Sequence, residues 1–372
     1  MDGTDTRGTP ALAEAARIMT ICNSCRYCEG LCAVFPAMER HREFSPGTLA
    51  HLASLCHGCG ACLDDCQFAP PHEFAVNVPR TMAAARRESY AAHAWPRLAG
   101  GAFDRGGIVN AAVILLCVIG FLAAIIPALS GAGGPLSAPG AFYRLMSHGA
   151  MVAVFGLAAL YAIFTIAAGI RQFWRAAGPA PHIGPRALAG ALHDAMRLRY
   201  LDGGGAGCPD AQQAPRDHRR LFHHFVFYGF LLCFASTCVA TLYSYGFDLE
   251  APYPPTSLPV ILGALGGIGL VAGAPGLLLE KRRRPPAFAD PASRGMDVAF
   301  IVTLFLLGLT GLALLVLRAT SFAGILLCIH LGVVLGFFVT MPYGKFVHGI
   351  WRLVALVRHA AEFEAETAGT QK

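Results

Sequence analysis

The sequence predicts an all-α protein in two parts, a polar cysteine-rich head over residues 1–98 and a membrane domain over residues 99–372. Three observations predict it. Eight of the thirteen cysteines repeat one spacing near the N-terminus, six apolar stretches long enough to cross a bilayer follow, and histidines stand inside or beside those stretches. Composition agrees. The 372 residues are 55% hydrophobic and only 14% charged, with a mean hydropathy of +0.51, whereas a water-soluble domain carries about a quarter charged residues. The net charge of +6 is not gathered into one basic patch, so no nucleic-acid partner is expected.

In the head, Cys22, Cys25, Cys28 and Cys32 follow the spacing Cys-x2-Cys-x2-Cys-x3-Cys, and Cys56, Cys59, Cys62 and Cys66 repeat it. Three thiolates on a short loop take three irons of one [4Fe–4S] cubane, and the fourth reaches the neighbouring cluster in two-cluster ferredoxins. The swapped assignment therefore gives Cys22, Cys25, Cys28 and Cys66 to one cluster, and Cys56, Cys59, Cys62 and Cys32 to the other. Two structural zinc sites or a set of disulfides are the bland alternatives. Zinc motifs more often pair two Cys-x2-Cys halves across a longer gap, and disulfides need an oxidising compartment. The proline that usually follows the fourth cysteine is absent; Ala33 and Gln67 stand there. Between the runs, Phe44–Ala53 reads as a helix with Ser45 as N-cap and Pro46 at the first helical position. That favours an α-helical, two-cluster ferredoxin-like head over a β-rich one. Residues 1–20 are polar and hold Asp2, Asp5 and Glu14 without an apolar core, so no secretory signal is expected and the head stays in the cytoplasm.

Six spans are predicted near 109–130, 146–170, 222–245, 257–280, 297–317 and 321–341, each close to the roughly 20 residues a bilayer requires. The fourth is rich in glycine (Gly263, Gly266, Gly267, Gly269, Gly273, Gly276), which either lets helices approach closely in lipid or is simply tolerated there. Basic residues sort by loop. Arg97 and Arg105 precede the first span; Arg171 to Arg220 fill the loop after the second; Lys281 to Arg284 and Arg294 follow the fourth; Lys345, Arg352 and Arg358 follow the sixth. The opposite loops carry only Arg144 and Arg318. The positive-inside rule then places both termini in the cytoplasm of a multi-pass inner-membrane protein. In the long cytoplasmic loop, 178–220, residues 187–200 have the periodicity of an amphipathic surface helix, and Leu201–Cys208 breaks it. That helix either docks on the head or lies on lipid headgroups, with headgroups the simpler expectation.

Histidine within a span is costly and marks function by default. His330 lies in span six and His348 in its extension, 18 residues on. Five helical turns separate them, so an unbroken helix would set both on one face roughly 27 Å apart, with a kink at Met341-Pro342. This suits one haem near each side of the membrane. The expected partners are His224 (or His223) for His348, and His148 for His330, giving one or two b-type haems. His41, His51, His57, His72, His93, His182, His193, His218 and His359 lie in polar segments and read as surface residues; Cys117, Cys233, Cys238 and Cys328 read as small apolar packers. No nucleophile–base arrangement or nucleotide-binding glycine loop stands out, so no catalytic residue is assigned. What remains is a one-electron relay between a soluble redox partner and a membrane quinone, with Lys345 and Arg352 either bonding a quinone carbonyl or serving as inside anchors.

Three strings also carry a family resemblance: Cys22-Asn23-Ser24-Cys25-Arg26-Tyr27-Cys28-Glu29-Gly30 with Ala33–Glu39, Cys56-His57-Gly58-Cys59-Gly60-Ala61-Cys62 with Gln67–Phe74, and Met341-Pro342-Tyr343-Gly344-Lys345-Phe346-Val347-His348-Gly349. From about residue 15 to 360 the chain resembles the tricarballylate-utilisation protein B family, also called CitB. The resemblance implies two [4Fe–4S] clusters and haem in a membrane protein. It also implies a cytoplasmic FAD-dependent partner dehydrogenase, which converts tricarballylate to cis-aconitate and whose electrons pass to the quinone pool. The span-six histidines are similar to those of the nitrate reductase gamma subunit, which implies a six-helix bundle of the b-haem type. A quinol-oxidising subunit feeding a cytoplasmic reductase is the main alternative, and a membrane redox sensor a third.

Overall fold

The computed structural model describes residues 9–102, 105–132, 136, 140–179, 181–203 and 218–370, and among them every regular element is helical. The head contains α1 (Pro10–Cys25), α2 (Val34–Glu39), α3 (Pro46–Leu55), α4 (Ala61–Asp64) and α5 (Val78–Ala92). Helix α3 begins as its sequence dictates: Pro46 occupies the first turn and the Ser45 hydroxyl accepts the Thr48 N–H at 3.1 Å, the side-chain cap that satisfies an orphan donor. Thr9 and Asn77 cap α1 and α5 in the same way. The head's core is Ile18, Met19, Phe35, Met38, Leu49, Leu52, Leu55 and Met82, all fully buried. Every residue of α3 from Thr48 to Leu55 is buried, and this overturns one expectation: His51 is 1% exposed, not a surface residue. Burial, followed by the charges of Arg358 and His359, lowers its pKa to about 3.

The apolar stretches become α6 (Ile108–Ala132), α7 (His148–Ala176), then beyond the loop helix α8 (Pro185–Met196), α9 (His218–Phe247), α10 (Leu258–Arg283), α11 (Arg294–Leu317) and α12 (Ala323–Thr340). Five helices are long and apolar enough to cross a membrane, namely α7, α9, α10, α11 and α12, and the described apolar stretch of α6 covers residues 108–124. Outward-facing Leu157, Leu160, Ile163 and Phe164 on α7 are more than half exposed, the pattern of side chains that meet lipid.

The glycines of α10 are interfacial. A Cβ on Gly266 would stand 2.7 Å from the Cys233 nitrogen, and one on Gly269 would stand 2.9 Å from the Phe225 oxygen, both on α9; one on Gly267 would strike Leu312 of α11. Backbones this close leave no room for a side chain. Gly269→Val is therefore expected to pry α9 from α10 and cost about 1–3 kcal/mol, read as a lower thermal midpoint of the detergent-solubilised protein.

The last predicted span does not continue as one kinked helix. Helix α12 stops at Thr340, Met341–Tyr343 form a 3-10 turn, Gly344 is extended, and α13 (Val347–Thr370) starts afresh. Pro342 lacks the N–H that a continuous helix needs. The unbroken five-turn helix on which the register between His330 and His348 depends is thereby interrupted.

Buried charges tie the ends of the apolar helices to one another and to α13. Asp297 at the start of α11 pairs with Lys281 at the end of α10, and at 2.8 Å with Lys345. Arg358 of α13, 3% exposed, donates to the carbonyls of Trp174, Gly178 and Pro179 at the end of α7 and to Glu362; a cation there satisfies the orphan carbonyls of a helix C-terminus. Asp297→Asn would leave two ammonium groups facing each other without a counter-charge. The expected loss is about 3 kcal/mol, measured as loss of folded protein on heating.

Helix α8 packs on α13 through Ala187 and Ala191, and Tyr200 beyond it lies 6.0 Å from the His57 ring. The described part of the loop thus packs on α13 and reaches the head at His57, while Leu188, Leu192 and Met196 stay exposed on the other face of α8. Arg216 and Cys208 fall outside the described residues.

Candidate functional site

The eight cysteines sort into two groups that do not follow the order of the chain. The thiols that act on Cys22 are Cys28, Cys66 and Cys25, and those that act on Cys32 are Cys56 and Cys59. Cys62 is acted on by Cys56, Cys32 and Cys59, and then by Cys28 of the other group. The fourth cysteine of each run has crossed to the other, and the groups adjoin. The crossing has local causes. Helix α1 ends at Cys25 with Arg26 in the left-handed region (φ 56°), turning the chain so that Cys28 returns beside Cys22. In the second run Gly58 (φ 59°) and Gly60 (φ 102°) make the turns, and a Cβ on Gly60 would stand 2.9 Å from the Phe288 ring; only glycine adopts that backbone without strain.

The chemistry of these groups fits clusters. Burial first, then the neighbouring thiols, push the Cys22 thiol up to about 12 and Cys28 to about 11, and raise Cys32 and Cys62. Crowded thiols of this kind need cationic metal to become thiolates. Backbone N–H groups aim at the sulfurs: Val34 and Phe35 donate to Cys32, and Gly58 donates to Cys56 Sγ at 3.3 Å. A cavity opens among Cys22, Cys25, Cys28 and Cys66, with Cys62 of the adjoining group also on its lining, and is walled by Phe35 and Val76. Among the described residues no three His, Cys, Asp or Glu side chains converge on a single metal-ion position. A cubane spreads its thiolates over different irons and needs no such convergence.

Beneath the second group lie three arginines. Arg86 of α5, 6% exposed, donates to the Ala53 carbonyl at 2.7 Å and to that of Cys56. Arg219 of α9 donates to the His57 carbonyl at 3.1 Å and the Gly58 carbonyl at 3.5 Å. Arg352 of α13 donates to the Cys56 carbonyl at 3.3 Å, and its Nε is buried without a partner. Burial, then the charge of Arg86, lowers Arg352 to about 10, which leaves it charged at neutral pH. His57, 9% exposed within this loop, is a second histidine that the sequence reading wrongly put on the surface.

One helical turn from Arg219 and Arg352 stand His223 and His348, whose ring centroids are 6.2 Å apart. Two imidazoles bonded to one metal at about 2 Å each place their centroids roughly 6 Å apart. His348 Nδ1 is bonded to the Lys345 carbonyl, which fixes the tautomer and leaves Nε2 as the ligating nitrogen. His223 Nδ1 is buried with no hydrogen-bond partner. Phe300 and Phe346 wall the pair with apolar surface. These residues fit a bis-histidine haem. Of the two neighbours the sequence offered, His223 meets His348, while His224 lies against Tyr228.

The outer pair behaves differently. His330 Nδ1 is 2.8 Å from the Thr310 hydroxyl, and His148 Nε2 is 3.2 Å from that of Ser244, between the rings of Tyr143 and Tyr245. The described contacts do not bring these two histidines together. Lys345, a candidate for a quinone carbonyl in the sequence, is engaged by Asp297. Cys328 is buried and donates to the Gly324 carbonyl, as a packing thiol would, and Cys238 is exposed. Sequence reading missed Arg86 and Arg219. A signal was available for the latter: Arg219 precedes His223 by four residues and Arg352 follows His348 by four, so each shares its histidine's helix face.

Comparison with known proteins matches residues 106–369 to the family described as Citrate utilization protein B, and residues 15–92 to the Citrate utilization protein B Fer4-like domain. The chain is 48% identical over 355 residues to the Citrate utilization protein B of Escherichia coli, covering 94% of this chain and 92% of that protein. No solved structure matches the chain.

Proposed function

Because the chain belongs to the citrate utilization protein B family, we propose that it is a membrane electron-transfer protein that reoxidises the FAD of a partner dehydrogenase and delivers the electrons to the quinone pool. The partner is of the tricarballylate dehydrogenase type, acting on a small tricarboxylate, and meets the head on the cytoplasmic side, where both termini lie. Cys22, Cys25, Cys28 and Cys66 would hold one [4Fe–4S] cluster, Cys32, Cys56, Cys59 and Cys62 a second, and His223 with His348 a b-type haem. Bound there, these groups supply one-electron carriers. The chain supplies their order, their insulation and the rigid contact between head and membrane helices.

One observation carries this reading. The loop bearing Cys56 and Cys59 is bolted through Arg219 and Arg352 to the two helices that present His223 and His348. A head that merely sensed oxidation would need no such contact with buried histidines. The test uses the full chain purified in detergent and reduced with dithionite. It should show a reduced b-type absorbance and cluster EPR signals, and all of them should reoxidise on adding a quinone analogue. Protein with its cofactors intact that ignores the quinone would reject the proposal.

A further inference from the structure

The two four-cysteine groups sit in opposite electrostatic surroundings. Around the inner group (Cys32, Cys56, Cys59, Cys62), three guanidinium groups from three different helices converge on the successive carbonyls of Cys56, His57 and Gly58. Peptide N–H groups of Val34, Phe35 and Gly58 add donors at two of its sulfurs. The nearby carboxylate of Asp194 is already engaged by Arg199 and by the Tyr200 hydroxyl. The outer group (Cys22, Cys25, Cys28, Cys66) has the reverse arrangement. The charge of Asp65 acts on Cys28, and Asp64 stands exposed beside it. Arg26, the single cation within the first cysteine run, has a side chain 56% exposed and leans toward Glu39 at 3.9 Å. The side-chain donor near a sulfur is the neutral amide of Gln67, 3.9 Å from Cys25 Sγ.

We propose that Arg86, Arg219 and Arg352 make the inner four-cysteine site the electron acceptor of the pair, so that electrons cross the head in one direction, from the outer site to the inner site and on toward His223 and His348. The inference rests on the relay reading above and gives it a sense of flow. An iron–sulfur site gains one negative charge on reduction, and its potential follows net charge, hydrogen bonds to sulfur and exposure. Burial alone would lower the inner potential, because added negative charge is costlier away from water. Three full positive charges act in the opposite sense, and the same exclusion of water leaves them weakly screened. At the outer site the fixed charge is negative, so electrons there are held less tightly. The step is a one-electron exchange: the outer site is oxidised, the inner site is reduced, and no bond is made or broken. No proton need follow, since the guanidinium charges already offset the incoming electron. The first electron comes from the reduced flavin of the partner.

The arginines are positioning residues in this scheme, and the readout is a potential. EPR-monitored redox titration of the full chain in detergent, with signals assigned through Cys25→Ala (outer lost) and Cys59→Ala (inner lost), should find the inner site reduced at the higher potential. Arg352→Gln should move the inner midpoint down and leave the outer one in place, while Arg352→Lys, which keeps the charge, should stay near the parent. Should Arg352→Gln lose the inner signal, Arg219→Gln is read by the same criterion. An inner midpoint at or below the outer one, or one that ignores loss of the guanidinium, overturns the assignment of direction. Absence of both cluster signals in iron-replete protein would overturn the relay reading itself, and the two failures are distinguishable in one titration.

Discussion

His348→Ala should abolish a b-type haem absorbance and leave the iron–sulfur EPR signals intact. The ring of His348 is fixed by the Lys345 carbonyl and walled by Phe300, so alanine removes the nitrogen proposed to hold the haem, and among the described residues nothing adjacent offers another. His223→Ala should produce the same spectrum, because each ring is half of one pair 6.2 Å apart. His224→Ala should retain the haem, since that ring is turned to Tyr228. The contrast between adjacent histidines makes the experiment sharp: a general loosening of α9 would affect both variants, whereas ligation separates them. The cysteine groups are held by α1 to α5 and the arginine carbonyl bonds, none of which uses the imidazole. Haem retained in His348→Ala at the parent stoichiometry would remove the axial assignment.

That pair was half legible in the sequence. Composition and the length of the apolar stretches marked where the long apolar helices α7 and α9 to α12 form, because burial in lipid demands long apolar runs whatever the tertiary packing. The start of α3 was legible for an equally local reason, the cap at Ser45 and the proline after it. His348 was visible as a costly polar residue at the end of a span. The choice between His223 and His224 was not, because neighbouring helical residues point about 100° apart and only the rotation of α9 about its axis turns one of them to His348. The continuous helix between His330 and His348 fails at a local signal: Pro342 with Gly344 ends the helix rather than bending it. His51 and His57 were misplaced because polar surroundings in sequence say little about which side of a short helix or loop faces the core. In the sequence Arg219 and Arg358 count only as inside charges, and Arg352 as an anchor or a donor to a quinone carbonyl. In the structure Arg219, Arg352 and Arg358 bind specific carbonyls of another element, which charge counting cannot foresee.

The crossed pairing of the cysteines leads to the most discriminating outcome. Single replacements cannot decide it, since losing any one ligand removes about four of roughly eight irons under either pairing. Double replacements can. Cys32 and Cys59 belong to the same spatial group but to different runs of sequence. Under the crossed arrangement, Cys32→Ala with Cys59→Ala damages one site twice, and about four irons should remain with one EPR signal. If each run held its own cluster, the same variant would damage both sites and no cluster iron would remain. Cys25→Ala with Cys32→Ala inverts the logic: these share a run but lie in different groups, so both signals should vanish. Two changes at one shared site are strongly non-additive, and two changes at separate sites add. Iron content and EPR of these two double variants therefore read the connectivity directly. The predicted pattern, one cluster surviving the first and none the second, depends on Cys32 and Cys66 having changed partners.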